Sequence, residues 1–254
     1  MLDFSIITVS YNSAETIKET ISSVLGQVDV SFEYIIIDGA STDNTINIIE
    51  SFNDPRIKIL SEDDDGLYDA MNKGIALATG SIIAIINSDD VYISSDVLDK
   101  VKKEMTEKKA DILSGHIYFF DHDINIKKRS YKCTPYINNK QWHHGWQPPH
   151  PSTFVRRGVY DAIGAYNIQY KISADYDFLF RALYINKYKH IVLNEYLVAM
   201  RNGGESTRNI KAIIKGNKEV SQVWNNNKIK KPKLLILNKL ISKIVNNVYM
   251  KSNH

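Results

Sequence analysis

Phe4-Ser5-Ile6-Ile7-Thr8-Val9 runs directly into Ser10-Tyr11-Asn12-Ser13-Ala14, and Glu15, Ile17, Ile21, Val24, Leu25 and Val28 follow. The first six residues are an apolar, β-branched run. Asn12 is a helix-capping residue with an acid three positions on, and the later apolar residues recur at helical spacing. The stretch predicts strand, turn, helix. The unit then repeats. Tyr34 to Ile37 predicts a buried strand, Asp38 to Asp43 a polar loop, and Thr45 to Phe52 a helix with Ile46, Ile49 and Phe52 inward. Arg56 to Leu60 predicts a further strand, Leu67 to Ala78 a helix stopping at Gly80, and Ser81 to Ile86 a strand ending at Asn87-Ser88-Asp89-Asp90. Strands alternating with helices at this spacing predict an α/β fold, a single Rossmann-like and mostly parallel sheet flanked by helices.

In such sheets ligands bind beyond the carboxyl ends of the strands. Tyr11 and Asn12, Asp38, Glu62 to Asp65, and Asp89 with Asp90 all fall at those ends, so one shared crevice is expected. The turn after the first strand is not glycine-rich, which disfavours a dinucleotide-binding dehydrogenase. Ser94 to Lys109 predicts another helix. Periodicity weakens from Asp121 to Pro151, a long irregular loop containing Trp142, His143, His144, Trp146 and His150. Helical pattern returns at Ala174 to Tyr184, then a strand from Ile191 to Met200 and a turn at Asn202-Gly203-Gly204.

Composition bounds the function classes. With 254 residues, 43% hydrophobic and 24% charged, the chain has the make-up of an ordinary globular protein able to bury a substantial core. Cys133 is the single cysteine, so no intrachain disulfide forms and a cytoplasmic setting is the expectation. No apolar run reaches the roughly 20 residues that span a bilayer, and no basic signal-peptide head precedes the first strand. A net charge of +3 gives no argument for nucleic acid as a partner.

Asp89 and Asp90 are hard oxygen donors of the kind Mg²⁺ or Mn²⁺ uses when one or two carboxylates and substrate phosphates share the ion. A strand-ending acidic pair also forms an ordinary turn or cap, so the pair alone does not decide. No second ligand pair at structural spacing accompanies His143, His144 and His150, so a zinc site is not expected. Trp142 and Trp146 either stack on sugar rings or pack in the core.

Over residues 3 to 205 the sequence resembles family 2 glycosyltransferases of the GT-A fold. Five segments carry the resemblance, in order: Ile6 to Asn12; Ile35-Ile36-Ile37-Asp38-Gly39-Ala40-Ser41-Thr42-Asp43; Glu62 and Asp64 with Gly66-Leu67-Tyr68-Asp69-Ala70-Met71-Asn72-Lys73-Gly74; Asn87-Ser88-Asp89-Asp90; and Ser173-Ala174-Asp175-Tyr176-Asp177. The resemblance implies that Thr8 and Tyr11 pack around a nucleotide base and that Asp38 accepts from a uracil imide. It also implies that Asp64 lies near base or ribose, and that Lys73, Asn87 and Asp89 contact the donor. Asp89 and Asp90 would hold Mn²⁺ or Mg²⁺, and Asp175 would be the general base. His150 and, by stacking, Trp146 would border the acceptor. Two departures stand out: Asn87 replaces the first Asp of the usual metal motif, and Ala174 replaces the Glu of a Glu-Asp pair, whose supporting role is unfilled or supplied elsewhere.

The implied activity is hexosyl transfer, with inversion, from a UDP-sugar to a glycan or lipid-linked hydroxyl in polysaccharide biosynthesis. The alternatives are a nucleotide-sugar-binding protein without turnover and a sugar nucleotidyltransferase, the latter disfavoured by the lack of a glycine-rich basic loop near the N-terminus. The expected organisation is a catalytic domain at 1–205, with nucleotide-binding (1–110) and acceptor-binding (111–205) parts, and a C-terminal helical extension at 206–254. From Lys228 to Lys251 there are seven lysines, no acids, and Leu234, Leu237, Ile241, Ile244, Val245 and Val248 at helical spacing after Pro232. This tail is expected to pack on the catalytic domain, to join a second copy in a homo-oligomer, or to lie peripherally on the anionic inner membrane face.

Overall fold

The computed structural model describes residues 2–203 and 210–239. β1 (Phe4–Ser10) is buried along its whole length and pairs in parallel with β2 (Phe32–Asp38), from Phe4 opposite Phe32 to Ser10 opposite Asp38. β3 (Ile57–Ser61) continues in parallel outside β2, and β4 (Ile82–Ile85) flanks β1 on the other side. The crossovers are α1 (Ile17–Leu25), α2 (Thr45–Ser51) and α3 (Leu67–Leu77). Their apolar faces cover both sides of the sheet, as strands without a polar face require. Successive side chains alternate between those sides. Ile7, Val9, Ile35 and Ile37 face the cluster containing Tyr68 and Met71, whereas Ile6, Tyr34 and Ile36 face Ile17, Ile21 and Val24.

The second half extends the same sheet with shorter pieces. β5 (Val91–Tyr92), α4 (Val97–Glu107), β6 (Ile112–Phe120), β7 (Arg129–Tyr131), α5 (Lys140–His143), β8 (Thr153–Arg156), α6 (Arg157–Ile163), α7 (Ala174–Leu179) and β9 (His190–Arg201) follow in order. The strand order is β3-β2-β1-β4-β8-β6-β9-β5, with β7 on β6. β8 runs antiparallel to β4 and β6, and β5 to β9, while β6 and β9 are parallel. The parallel pairings are the long ones, so the sheet is mostly parallel, as expected.

β6, β8 and α6 were not legible in the sequence pattern. β6 carries Gly115 and a register shift between Ser114 and His116, which breaks its alternation, and β8 has four residues. The helix expected over 174–184 exists but widens to π geometry at Phe180–Ile185.

α8 (Ile210–Asn226) buries Gly216, Glu219, Val220, Val223 and Trp224. This i, i+3, i+4 stripe joins the same core as Leu179 and Phe180, so α8 packs on the body of the fold. In the following segment Leu235 is buried, whereas Leu234 and Leu237 of the expected stripe are exposed at 58% and 52%. The rest of that expected helix, residues 240–251, lies outside the described residues.

Candidate active site

The turn after β1 and the loop after β2 are tied together beyond the strand ends. Asn12 takes a left-handed φ of 50° and its side-chain oxygen accepts the Thr42 amide at 2.9 Å, while its own amide donates to Ser41 Oγ at 2.8 Å. Between these ties Tyr11 stands 65% exposed, an aromatic ring held at the crevice rim by a rigid turn. Gly39 lies beneath it: a methyl there would stand 2.5 Å from Asp64 Oδ2 and 3.6 Å from the Tyr11 ring. The missing side chain lets the Asp64 carboxylate approach. Asp64 Oδ1 accepts the Gly66 amide at 2.7 Å, which leaves Oδ2 over Gly39. Tyr11, Gly39 and Asp64 therefore converge on one spot, with a stacking face and an anionic acceptor.

Two residues expected in that spot are elsewhere. Thr8 is fully buried, and its hydroxyl is 2.9 Å from that of Tyr34 on the opposite face of the sheet. Alternation along β1 turns Val9 toward the α3 side of the sheet and Thr8 away from it. Asp38 is likewise fully buried. Its carboxylate accepts from Ser10 Oγ, Ser41 Oγ, the Ser41 amide and Ser61 Oγ, which ties the ends of β1, β2 and β3. These four donors come from the ends of β1 and β3 and from the turn after β2, and hold that turn in place.

Lys73 also differs from expectation. Its ammonium donates to Asp63 O at 2.7 Å and pairs with Glu62 at 2.9 Å and Asp69 at 3.5 Å. The hydrogen-bonded Glu62 carboxylate raises it above the usual lysine range. It closes the acidic loop that carries Asp64 onto α3.

At the end of β4 the acidic pair divides its labour. Asp90 is 1% exposed, and Asn87 Nδ2 donates to its Oδ2 at 2.8 Å. Asp89 is half-buried and is the member nearer solvent. Burial raises both carboxyls, Asp90 well above the usual range, with the Asp89 charge adding to the effect and Arg201 opposing it. Two desolvated carboxyls in sequence are a hard-oxygen set that a divalent cation would neutralise. Among the described residues no cluster of three or more His, Cys, Asp or Glu forms an all-protein cage. The pair fits Mg²⁺ or Mn²⁺ shared with substrate phosphates.

α7 carries Asp175 in its first turn. Tyr68 of α3 donates from its hydroxyl at 3.2 Å from Asp175 Oδ1 and 2.9 Å from Ile172 O, and Gln147 Nε2 donates to Asp175 Oδ2 at 2.9 Å. Burial and then the Asp175 charge push the Tyr68 phenol well above its usual range, so it remains a donor. His150 Nε2 is 2.7 Å from the Tyr166 hydroxyl; burial lowers this imidazole, and the Asp175 charge partly offsets that. His150 thus stands near Asp175, on the expected acceptor side. Asp177 instead pairs with Arg181 at 2.8 Å within its own helix.

Trp146 is half-buried among aromatic neighbours. It stacks on Tyr136 at 5.5 Å, meets Trp142 and His190 edge-on, and donates from Nε1 to Thr134 Oγ1. Its ring is a packing element, and Trp142 is fully buried. The sequence pattern missed Gly39 and Gln147 and assigned no role to Tyr68. A glycine directly after an acidic strand end was the only signal for the first; the loop periodicity carried none for Gln147.

An acidic pair follows β4, and a carboxylate tied to α3 stands in the first turn of α7. The Glycosyl transferase family 2 profile matches residues 5–164, and the chain belongs to that family. It is 31% identical over 211 residues to a Mycobacterium bovis BCG "PGL/p-HBAD biosynthesis glycosyltransferase", covering 76% of each chain. It is 32% identical over 120 residues to Glycosyltransferase GlyG of Streptococcus pneumoniae, which covers 46% of this chain and 40% of that one. Among solved structures, S. aureus TarS 1-349 in complex with UDP-GlcNAc superposes with a TM-score of 0.66 at 22% identity. That match covers 79% of this chain, which spans 59% of the TarS chain. Pyrobaculum calidifontis mannosyltransferase PcManGT, in complex with GDP-Man and Mn²⁺, gives 0.64 at 16% identity over 97% and 73% of the two chains. These likenesses establish the GT-A fold. Among the described residues no helix is long and apolar enough to cross a membrane.

Proposed function

We propose that this glycosyltransferase moves a hexosyl group from a UDP-sugar to a hydroxyl of a glycan or lipid-linked acceptor, with inversion at the anomeric carbon. The observation that carries the reading is the Tyr68 bridge. One hydroxyl at the start of α3, four residues beyond Asp64, reaches Asp175 on the facing helix at 3.2 Å, so donor and base segments are locked together. The base stacks on Tyr11 while Asp64 Oδ2 accepts its ring N–H; Asp38 shapes the turn from behind. Asp89, backed by Asp90 and Asn87, holds the Mn²⁺ or Mg²⁺, which when bound neutralises charge on the leaving diphosphate. Asp175 takes the acceptor proton as the hydroxyl oxygen attacks the anomeric carbon and the bond to the diphosphate breaks. Tyr68 and Gln147 orient its two oxygens, and His150 borders the acceptor.

A panel of nucleotide sugars tests this. We expect Mn²⁺- or Mg²⁺-dependent release of UDP from one UDP-sugar, accelerated by an acceptor. Release of GDP in preference, as from the donor class bound by PcManGT, would overturn the uracil assignment. Binding of UDP-sugars without product would instead support a binding protein.

The tail is proposed to associate with anionic membrane. Its support is the exposed Leu234 and Leu237 beside the exposed Lys230 and Lys233. Flotation with anionic liposomes at low salt should carry the full chain and leave one truncated after Asn227 behind; equal behaviour contradicts it.

A further inference from the structure

We infer that Glu219 of the C-terminal helix is a positioning residue for Asp175, an inference that rests on reading Asp175 as the base. Glu219 is 5% exposed, and among the described residues no Lys or Arg forms an ion pair with it. Its carboxylate instead accepts three consecutive backbone amides: Lys171 at 3.0 Å on Oε1, and Ile172 and Ser173 at 2.9 Å each on Oε2. A buried carboxylate held by amides alone is costly to desolvate and fixes the chain that supplies them. Those amides belong to the turn leading into α7, two residues before Asp175. Ser173 O then accepts the Asp177 amide at 3.0 Å, so the turn is continuous with the helix.

Two further contacts make the grip specific. Ser173 Oγ donates to Gly216 O at 3.1 Å, and a methyl at Gly216 would stand 3.1 Å from Ile172 Cγ2. The helix backbone therefore lies directly against the turn. Ile172 is also where Tyr68 rests, through its carbonyl oxygen at 2.9 Å, before reaching Asp175. Glu219 fixes Ile172, Ile172 with Tyr68 fixes the carboxylate, and Lys171 Nζ ties the same turn to Asp65 O at 2.7 Å in the acidic loop. Residues after position 209 thus complete a site whose reacting groups all precede them. Ala174, where the family pattern has Glu, is fully buried between these supports and contributes no carboxylate.

The test uses the full chain. Glu219→Gln keeps the shape but turns an NH₂ toward at least one of the three amides. We expect kcat to fall about 10- to 100-fold, as displacements of a catalytic group by up to about 1 Å do, with the donor KM within about twofold of wild type. Because the effect runs through Asp175, the double variant with Asp175→Asn should be no slower than Asp175→Asn alone. Gly216→Ala, which moves the turn without touching charge, should give a smaller kcat loss with the same non-additivity, and it serves if E219Q does not fold. Wild-type kcat in both variants overturns the proposal. So does a double variant slowed by the full product of the single effects, since the loss would then come through the fold at large. If Asp175→Asn alone turns over like wild type, the base assignment itself fails, whatever Glu219 does.

Discussion

Replacing Gly39 by Ala perturbs the crevice at one point whose consequence can be worked out. The new methyl would stand 2.5 Å from Asp64 Oδ2, against at least 3.4 Å for an ordinary contact, so the carboxylate must retreat by about 1 Å. The obstacle is the far end of an acidic side chain, and the Tyr11 ring at 3.6 Å is not crowded, so stability should change by no more than about 0.5 kcal/mol. A hydrogen bond to a charged acceptor contributes about 1.5–3 kcal/mol, so UDP affinity should fall roughly 10- to 100-fold. Calorimetric titration with UDP and Mn²⁺ measures the loss, and thermal unfolding checks that the fold is unchanged. Asp64→Asn should weaken UDP comparably, and the two together no further. If Gly39→Ala binds UDP as wild type does, Asp64 is not the acceptor for the base.

The acidic pair predicts a pH dependence. Burial and the Asp89 charge raise the Asp90 carboxyl in the folded state, so the native form is favoured when it is protonated. Below the unfolded carboxylate range the group is silent; above it the unfolded chain ionises first and native stability is lost until the folded value is passed. Without divalent metal, Asp90→Asn should therefore equal wild type near pH 4 and become progressively more stable toward about pH 8, and Mn²⁺ should narrow the gap. A pH-independent difference in unfolding free energy would contradict the assignment. Thr8→Val should leave UDP affinity unchanged while costing about 1–3 kcal/mol of stability, because it strands the Tyr34 hydroxyl. Tyr11→Ala should do the reverse, losing about 1–3 kcal/mol of base stacking with little change in unfolding; the opposite pattern would return Thr8 to the crevice.

These two substitutions also mark how far the sequence could be read. The parallel half of the sheet was legible because β1, β2 and β4 are apolar on both faces and the helices between them repeat at 3.6-residue spacing. Which face each strand-end residue takes was not legible, since a shift of one residue in a strand reverses the face. Thr8, Ser10 and Asp38 share one face and Val9, Tyr11 and Gly39 the other, so naming the polar residues selected the scaffold and missed the glycine that makes room. The polar period-two pattern Thr8, Ser10 was visible; its direction relative to the crevice depended on the packing of α3. Gln147 and Glu219 were out of reach for a different reason. Each acts through a contact 28 or more residues away, set by where a loop or helix docks. The only trace of the second was an acid at 219 among Gly216, Val220, Val223 and Trp224, an exception on an otherwise apolar stripe.

On the proposed mechanism Asp175 takes the acceptor proton, so its loss falls on the chemical step and not on donor binding. Single-turnover and steady-state kinetics of Asp175→Asn, alongside UDP titration, test it most directly once a donor is identified. We expect a loss of about 10² to 10⁴ in kcat with UDP affinity nearly unchanged, since a base is needed in the transition state and not for donor binding. An unchanged kcat with weakened UDP binding would contradict it and leave Asp175 as a structural part of α7.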